Sequence, residues 1–516
     1  MMRLRNIIIL LVLLIVCFVD VGESDFVESK CLNVPAAEFV GTVTATIQVV
    51  RQVISTVSQF SGGDFRENNA ILDCLDLMDL SLDQLTWTLS ASQNQNGKNN
   101  GTGNVNADMK TWLSGALTNQ DTCKEGFDGT NNIIVKSLIS DILDKVISFI
   151  IDILSVIKPT STSTTPKGRG RKLIAINEKF PDWLKSRDRK LLQTAANGTL
   201  LADAVVALDG TGDFTTIEDA IHAAPEYSAK RYVIYIKKGV YNEYVEISKK
   251  KWNIMMIGDG IDATVISGNR NFIDGWTTYR TATFAVKGQG FIARDITFEN
   301  TAGSEKHQAV AFRSDSDMSV LYRCTITGYQ DTLYAHSQRQ FYRECKITGT
   351  VDFIFGNGKV VFQNCQILAR KGLPKQKNTI TANGRYESHQ DTGFSIHSCN
   401  ISVEPEVLAS LGSTPTYLGR PWRLYSRTVI MQSYISSAIS PEGWLEWNGD
   451  FALDSLYYGE YLNYGPGAGL GARVKWAGYH AFNDSSQANK FTVAQFIGGN
   501  EWLPSTGIKY TAGLTN

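Results

Sequence analysis

The spacing of apolar residues divides the chain into two textures. Between residues 33 and 157, hydrophobic positions recur at intervals of three and four, most clearly over 70–89 and 133–157, and predict amphipathic helices. Four such helices would pack as a bundle. Asp141, Asp144, Lys145 and Asp152 interrupt the last apolar stretch, as in a bundle helix and unlike a membrane span. The Asn- and Gly-rich segment 93–106 predicts an exposed loop. Beyond residue 200 the pattern changes to short runs of Val, Ile, Phe, Tyr and Thr broken by Gly and Asn, which predicts an all-β body.

The β texture carries a repeat. Cys324-Thr-Ile-Thr-Gly-Tyr-Gln-Asp331 and Cys345-Lys-Ile-Thr-Gly-Thr-Val-Asp352 share Cys, Ile, Thr, Gly and Asp in register, 21 residues apart. Cys365-Gln-Ile367 continues the series after 20 residues, and Ile296-Thr-Phe-Glu-Asn300 is an earlier member at a looser spacing. A period of this size in β-type sequence predicts a solenoid in which each turn adds a strand to a parallel sheet. Equivalent residues of adjacent turns then stack about 4.7–4.9 Å apart. Asp331 and Asp352 are equivalent, and alternation along a strand sends both carboxylates to one face. Gln308 lies 22 residues before Gln330, which assigns it to the preceding turn. Two amides and two acids therefore converge. A ladder that merely satisfies backbone groups is the structural alternative, but two carboxylates within about 5 Å repel, and Asn would serve such a ladder equally well.

The ends and the middle of the chain add a route. Arg3 and Arg5 precede an apolar run at 7–19 and then small and acidic residues, the pattern of a secretory signal over 1–23. A Pro/Ser/Thr tract at 158–166 leads into Arg171-Lys172 and Arg189-Lys190, so residues 158–192 read as a polar linker. The linker is either a plain connector or a pair of sites for a processing protease that frees a domain starting near Gln193. The organisation expected is a signal over 1–23, a helical domain over 24–157, the linker over 158–192 and a β domain over 193–516.

Composition narrows the chemistry. With 43% apolar and 20% charged residues, the 516-residue chain is globular, and 50 Lys+Arg against 51 Asp+Glu announce no nucleic-acid partner. Cys17 lies in the signal, leaving Cys31, Cys74, Cys123, Cys324, Cys345, Cys365 and Cys399, an odd number, so at least one is unpaired or joined to another chain. Asn100, Asn197, Asn400 and Asn483 head Asn-X-Ser/Thr acceptor sites compatible with export. The sequence has no CxxC, GxSxG, HExxH or P-loop, so zinc, serine and phosphoryl mechanisms lack a signature. Two carboxyl groups whose pKa values are pushed apart supply a nucleophile or base beside an acid, and neutral amides suit an oxyanion. Ester hydrolysis is the chemistry this set serves.

The residues that carry this chemistry also resemble pectin methylesterases. The matching segments are Gly239-Val-Tyr-Asn-Glu243, Gln308-Ala-Val-Ala-Phe-Arg313, Gly328-Tyr-Gln-Asp-Thr-Leu-Tyr334, Asp352-Phe-Ile-Phe-Gly356 and Leu418-Gly-Arg-Pro-Trp422, with Phe312 where Leu is commoner. The resemblance implies a right-handed parallel β-helix acting on methyl-esterified homogalacturonan, with no metal or organic cofactor. It implies Asp352 as nucleophile, Asp331 as proton donor and acceptor, Gln308 and Gln330 as stabilisers of the tetrahedral anion, and Arg420 as the cation orienting Asp352. Trp422 resembles a sugar platform, Thr278 a substrate contact, and Tyr334, Phe355 and Trp447 further subsite residues.

The helical half resembles the inhibitor-like pro-region of plant members, a four-helix bundle, through Ala70-Ile-Leu-Asp-Cys74 and Trp112-Leu-Ser-Gly-Ala-Leu117 followed by Cys123. That likeness implies a Cys74–Cys123 disulfide, and the β-helix pattern one between Cys345 and Cys365, although Cys324 is equally spaced from Cys345. It further implies a monomeric enzyme of the cell wall or apoplast, cut by a subtilisin-like protease and met by proteinaceous pectin methylesterase inhibitors. Two other readings stay open. One is a different pectin-acting β-helix enzyme, a polygalacturonase or lyase, and the other an inhibitor or wall-binding protein acting through the bundle.

Overall fold

The structure, a computed structural model, describes residues 31–60, 62–93, 101–158, 202–408 and 414–515. The expected signal, both basic sites of the linker, Asn100 and Asn197 lie outside the described residues. Four helices form the N-terminal unit: α1 (Ala36–Val57), α2 (Phe65–Gln93), α3 (Val105–Gly126) and α4 (Ile133–Val156). Their inward faces follow the three-and-four spacing, as in Phe39, Val43, Val50, Val53 and Val57 of α1 and Val135, Ile139, Leu143, Val146 and Ile150 of α4. Asn104 and Asn132 start α3 and α4 by accepting from the backbone N–H of Ala107 and Val135, at 3.3 and 3.2 Å. No described helix is long and apolar enough to cross a membrane.

Cys74 and Cys123 form a disulfide that ties α2 to α3 across 49 residues. Closing a loop of that size removes ~3–4 kcal/mol of unfolded-chain entropy. Cys123→Ser is therefore expected to lower the denaturant midpoint for loss of helical circular dichroism by that much stability. An unchanged midpoint would mean that the apolar core alone carries the bundle.

Residues 202–515 wind into a parallel β-helix. Among the described residues its strands stack into a first sheet of eleven, a second of eight and a third of seven, and each full coil visits them in that order. The pairing confirms the repeat: Ile266, Phe298, Ile326, Ile347, Ile367, Ile401 and Ile435 are mutual partners in successive coils, all fully buried. One residue in left-handed conformation (Asp295, Arg323, Glu344, Asn364, Ser398, Gln432) turns the chain from first to second sheet, immediately before each rung of the Ile296, Cys324, Cys345, Cys365, Cys399 and Ser433 column.

That column corrects the expected Cys345–Cys365 disulfide. Both thiols are free and buried. Even stacking gives each inner sulfur two thiol neighbours, Cys324 and Cys365 for Cys345 and Cys345 and Cys399 for Cys365, so no pair is singled out, and each also meets main-chain carbonyls, Cys345 those of Leu321 and Arg343 and Cys365 those of Tyr342 and Gln363. Cys324 and Cys399 are free members of the same stack, and Cys31 is free in the bundle.

Short elements close the solenoid. Helix α5 (Ile217–Ala223) packs against its first coils, and Glu243, the acid of the Gly239–Glu243 segment, accepts from the N–H groups of Ile217 and Glu218 at its start. The outer face of the first sheet is covered by the C-terminal segment through Phe482, Phe491, Phe496 and Trp502. The outer face of the third sheet is covered by the bundle, whose core is continuous with Tyr279, Val310, Tyr334, Phe355 and Ala382.

Candidate active site

A cleft of about 330 Å³ opens where the bundle meets the third sheet. All ten residues singled out from the sequence line it: Thr278, Gln308, Gln330, Asp331, Tyr334, Asp352, Phe355, Arg420, Trp422 and Trp447. They come from six parts of the solenoid, with only the coil of Asn378–Asn383 contributing none between the first and the last, and are brought together by register. Leu333 pairs with Ile354 and Tyr334 with Phe355, so the two acids two residues earlier are stacked as expected.

Their immediate setting differs from the expectation. Asp331 and Asp352 stand in the corners between second and third sheets, not on strands, and each has a positive φ, 62° and 50°. Asp tolerates this region better than most residues, but two such corners in adjacent coils store strain of the kind that clusters at functional sites. Strand alternation is therefore not what aims the carboxylates; the repeated left-handed corner is.

The two acids are treated unequally. Asp352 Oδ1 accepts from Arg420 Nε at 2.8 Å and Oδ2 from Nη2 at 2.6 Å, a two-point grip. Thr379 closes the other side: its hydroxyl donates to Oδ1 at 2.6 Å and accepts from the Asp352 N–H at 2.9 Å. Asp331 has only 7% of its surface exposed. Burial pushes its carboxyl well above the usual range, the negative charge of Asp352 raises it further, and Arg420 only partly opposes them.

Aromatic rings frame the pair. Tyr334 and Phe355 stack with centroids 4.1 Å apart, Trp422 meets Phe355 edge-on at 5.9 Å, and the Arg420 guanidinium lies 4.3 Å from the Trp447 ring centroid. Gly384 makes room for Trp422, since a Cβ there would fall 2.6 Å from the indole.

Sequence reasoning missed the bundle's share of the cleft. Thr122, Glu125, Gly126 and Asp128 line it from α3 and the turn that follows, and Arg66 from α2. The docking is polar and specific: Thr122 Oγ1 lies 2.8 Å from His336 Nε2, Asn357 donates to Thr118 at 2.9 Å, and Arg423 holds both Asp121 and Glu125. Asp73 and Asp76 pair with Arg280, and Asp79 and Asp83 with Lys249. A signal existed, because four acids at intervals of three and four form one stripe along α2.

Comparison with known proteins agrees with this geometry. The family model "Pectinesterase" matches residues 203–500, and "Plant invertase/pectin methylesterase inhibitor" matches residues 35–155. The "Pectinesterase/pectinesterase inhibitor PPE8B" of Prunus persica is 64% identical over 498 residues, covering 96% of this chain and 93% of that one. The "Probable pectinesterase/pectinesterase inhibitor 44" of Arabidopsis thaliana is 59% identical over 521 residues, covering 98% of each. Among solved structures, pectin methylesterase from carrot matches with a TM-score of 0.61 and 52% identity over 62% of this chain and its own whole length. The Aspergillus niger enzyme matches at 0.51 and 28%, over 59% of this chain and 97% of its own. Ordered motifs, parallel coils and likeness over nearly the full length agree: the chain belongs to the pectinesterase family, carboxylic ester hydrolases of pectin, and carries an N-terminal domain of the pectin methylesterase inhibitor type.

Proposed function

We propose that the chain demethylates homogalacturonan through a covalent intermediate on Asp352. The observation that supports this most is the contrast between adjacent carboxyl groups, one gripped by a guanidinium and one driven toward its protonated form. Such a pair supplies a nucleophile and an acid together. The Asp352 carboxylate attacks the C6 carbonyl carbon of a methylated galacturonate, and the amides of Gln308 and Gln330 stabilise the resulting oxyanion. Collapse breaks the bond to the methoxy oxygen, which takes the proton of Asp331 and leaves as methanol. Asp331, now ionised, draws a proton from water, whose oxygen attacks the acyl carbon and returns Asp352 as a carboxylate. Arg420 keeps Asp352 aligned, Trp422 stacks on the sugar, and Thr278, Tyr334, Phe355 and Trp447 contact neighbouring residues of the polymer. The scheme uses no metal or organic cofactor.

Product analysis tests the reaction. Methanol without new chain ends is expected from methylated pectin; reducing ends or unsaturated uronides without methanol would move the assignment to glycosidic cleavage. Within the scheme, Gln330→Ala removes one oxyanion donor and is expected to lower kcat ~10²-fold with little change in KM. A rise in KM alone would make Gln330 a ground-state contact instead.

The same reading takes the chain as a precursor exported to the cell wall by the signal over 1–23. Cleavage at Arg171-Lys172 or Arg189-Lys190 by a subtilisin-like protease then separates the bundle domain, 24–157, from a monomeric catalytic domain starting near Gln193. Asn400 and Asn483 are both exposed, as glycan acceptors must be.

A further inference from the structure

The cations around the cleft fall into two sorts. Arg339 pairs with Asp108 of the bundle but also with Asp317 of its own domain, and Lys287 holds Glu246 as well as Asp76. Arg423 and Arg280 differ. Among the described residues, every acid ion-paired with either one comes from the bundle, and the one acid of its own domain that feels Arg280, Glu246, is paired with Lys287 instead. They flank the carboxylate pair along the third sheet: Arg423 follows the strand Thr416–Gly419 at one end, and Arg280 precedes Phe284–Val286 near the other. Beside Arg423 lies a cavity of about 380 Å³ that shares Glu125 and Asp128 with the active-site cleft. The path of the cleft thus continues past Trp422, whose ring centroid is 5.0 Å from the Arg423 guanidinium, and bundle carboxyl groups stand in it.

A groove that works along a partly esterified polyuronide meets free carboxylates as well as esters. An arginine whose own domain supplies no ion-pair partner is suited to them, since its planar fork grips a carboxylate at two points. We infer that Arg423 is a subsite for the free carboxylate of a galacturonate residue near the ester being cleaved, that Arg280 is a second such subsite across the catalytic pair, and that the bundle's acids stand in for the polymer's. The inference rests on the esterase reading of the cleft. Each hydrolysis then creates the group that these arginines hold, so the enzyme favours substrate it has already begun to demethylate.

The segment from Gln193 onward is the material for the test: it has its own interior core, and the carrot protein matches 62% of this chain over its entire length. Arg423→Ala is expected to weaken binding of an unesterified oligogalacturonide about tenfold and to flatten its dependence on salt. The ratio of kcat/KM on partly methylated to highly methylated pectin should fall by a similar factor, with Arg423→Lys between. Unchanged oligomer affinity overturns the proposal, as does an unchanged ratio. If the unsubstituted segment releases no methanol from either pectin, the esterase reading fails, while the binding comparison still decides the role of Arg423.

Discussion

Asp352→Asn in the segment from Gln193 onward is expected to cut methanol release by on the order of 10⁴-fold or more, a loss of about 5.5 kcal/mol of transition-state stabilisation. The substitution removes the attacking electron pair while leaving the shape of the corner. The main-chain bond from residue 352 to Thr379 is untouched, and an amide oxygen still accepts from the Thr379 hydroxyl. Arg420, by contrast, loses the anion that both of its donors grip. Asp331 loses the neighbouring negative charge that adds to burial in holding its proton, so its carboxyl falls back toward the ordinary range, is more often ionised and less often has a proton to give the leaving methoxide. Residual turnover comes from the oxyanion amides and substrate binding, as in other covalent hydrolases stripped of their nucleophile. A thermal unfolding midpoint close to that of the parent segment separates chemistry from folding. A folded variant keeping more than about a tenth of the parent rate would remove Asp352 from the role of nucleophile.

The solenoid and its stacked acidic pair were legible because both depend on a local period. Stacked coils repeat the same residues at the same rung, so the Ile and Cys columns and the Asp corners are written as a spacing of about 21 residues. How the carboxylates are aimed was not legible in the same way. Positive φ at Asp331 and Asp352 is a property of the corner, which strand alternation does not describe. The Cys345–Cys365 pairing failed for a related reason: even spacing gives each inner thiol a neighbour on either side, and a column of four free thiols singles out no pair. The docking of bundle on sheet leaves no periodic trace. Its nearest sign was the acidic stripe on α2, whose partners Lys249, Arg280 and Lys287 are about 170 to 210 residues away and carry no motif that names the match.

Docked as it is, the bundle should silence the enzyme toward polymer. Thr122, Glu125, Gly126 and Asp128 occupy one wall of the cleft, and an apolar core continuous with Tyr334, Phe355 and Trp422 leaves no path for a polysaccharide across the third sheet. Tethering makes the contact intramolecular, with an effective concentration far above that of a free inhibitor. The intact chain is therefore expected to release methanol from pectin at least about 100-fold more slowly than the same protein cut within its linker and freed of the bundle. Equal rates before and after cutting would refute occlusion. The acids at the seam add a pH dependence. Burial, helped by Asp121 and Asp128 and opposed by Arg423, pushes the Glu125 carboxyl up to about 8, and burial against Arg280 and Thr277 pushes Asp73 up to about 6. Both values are raised, so the docked state binds protons that the separated state does not. Docking is then strongest below the ordinary carboxylate range and weakens as pH climbs through about 6 and about 8. In the intact chain, Glu125→Gln should remove the upper part of this window and leave the lower, measured as the ratio of uncut to cut activity across pH.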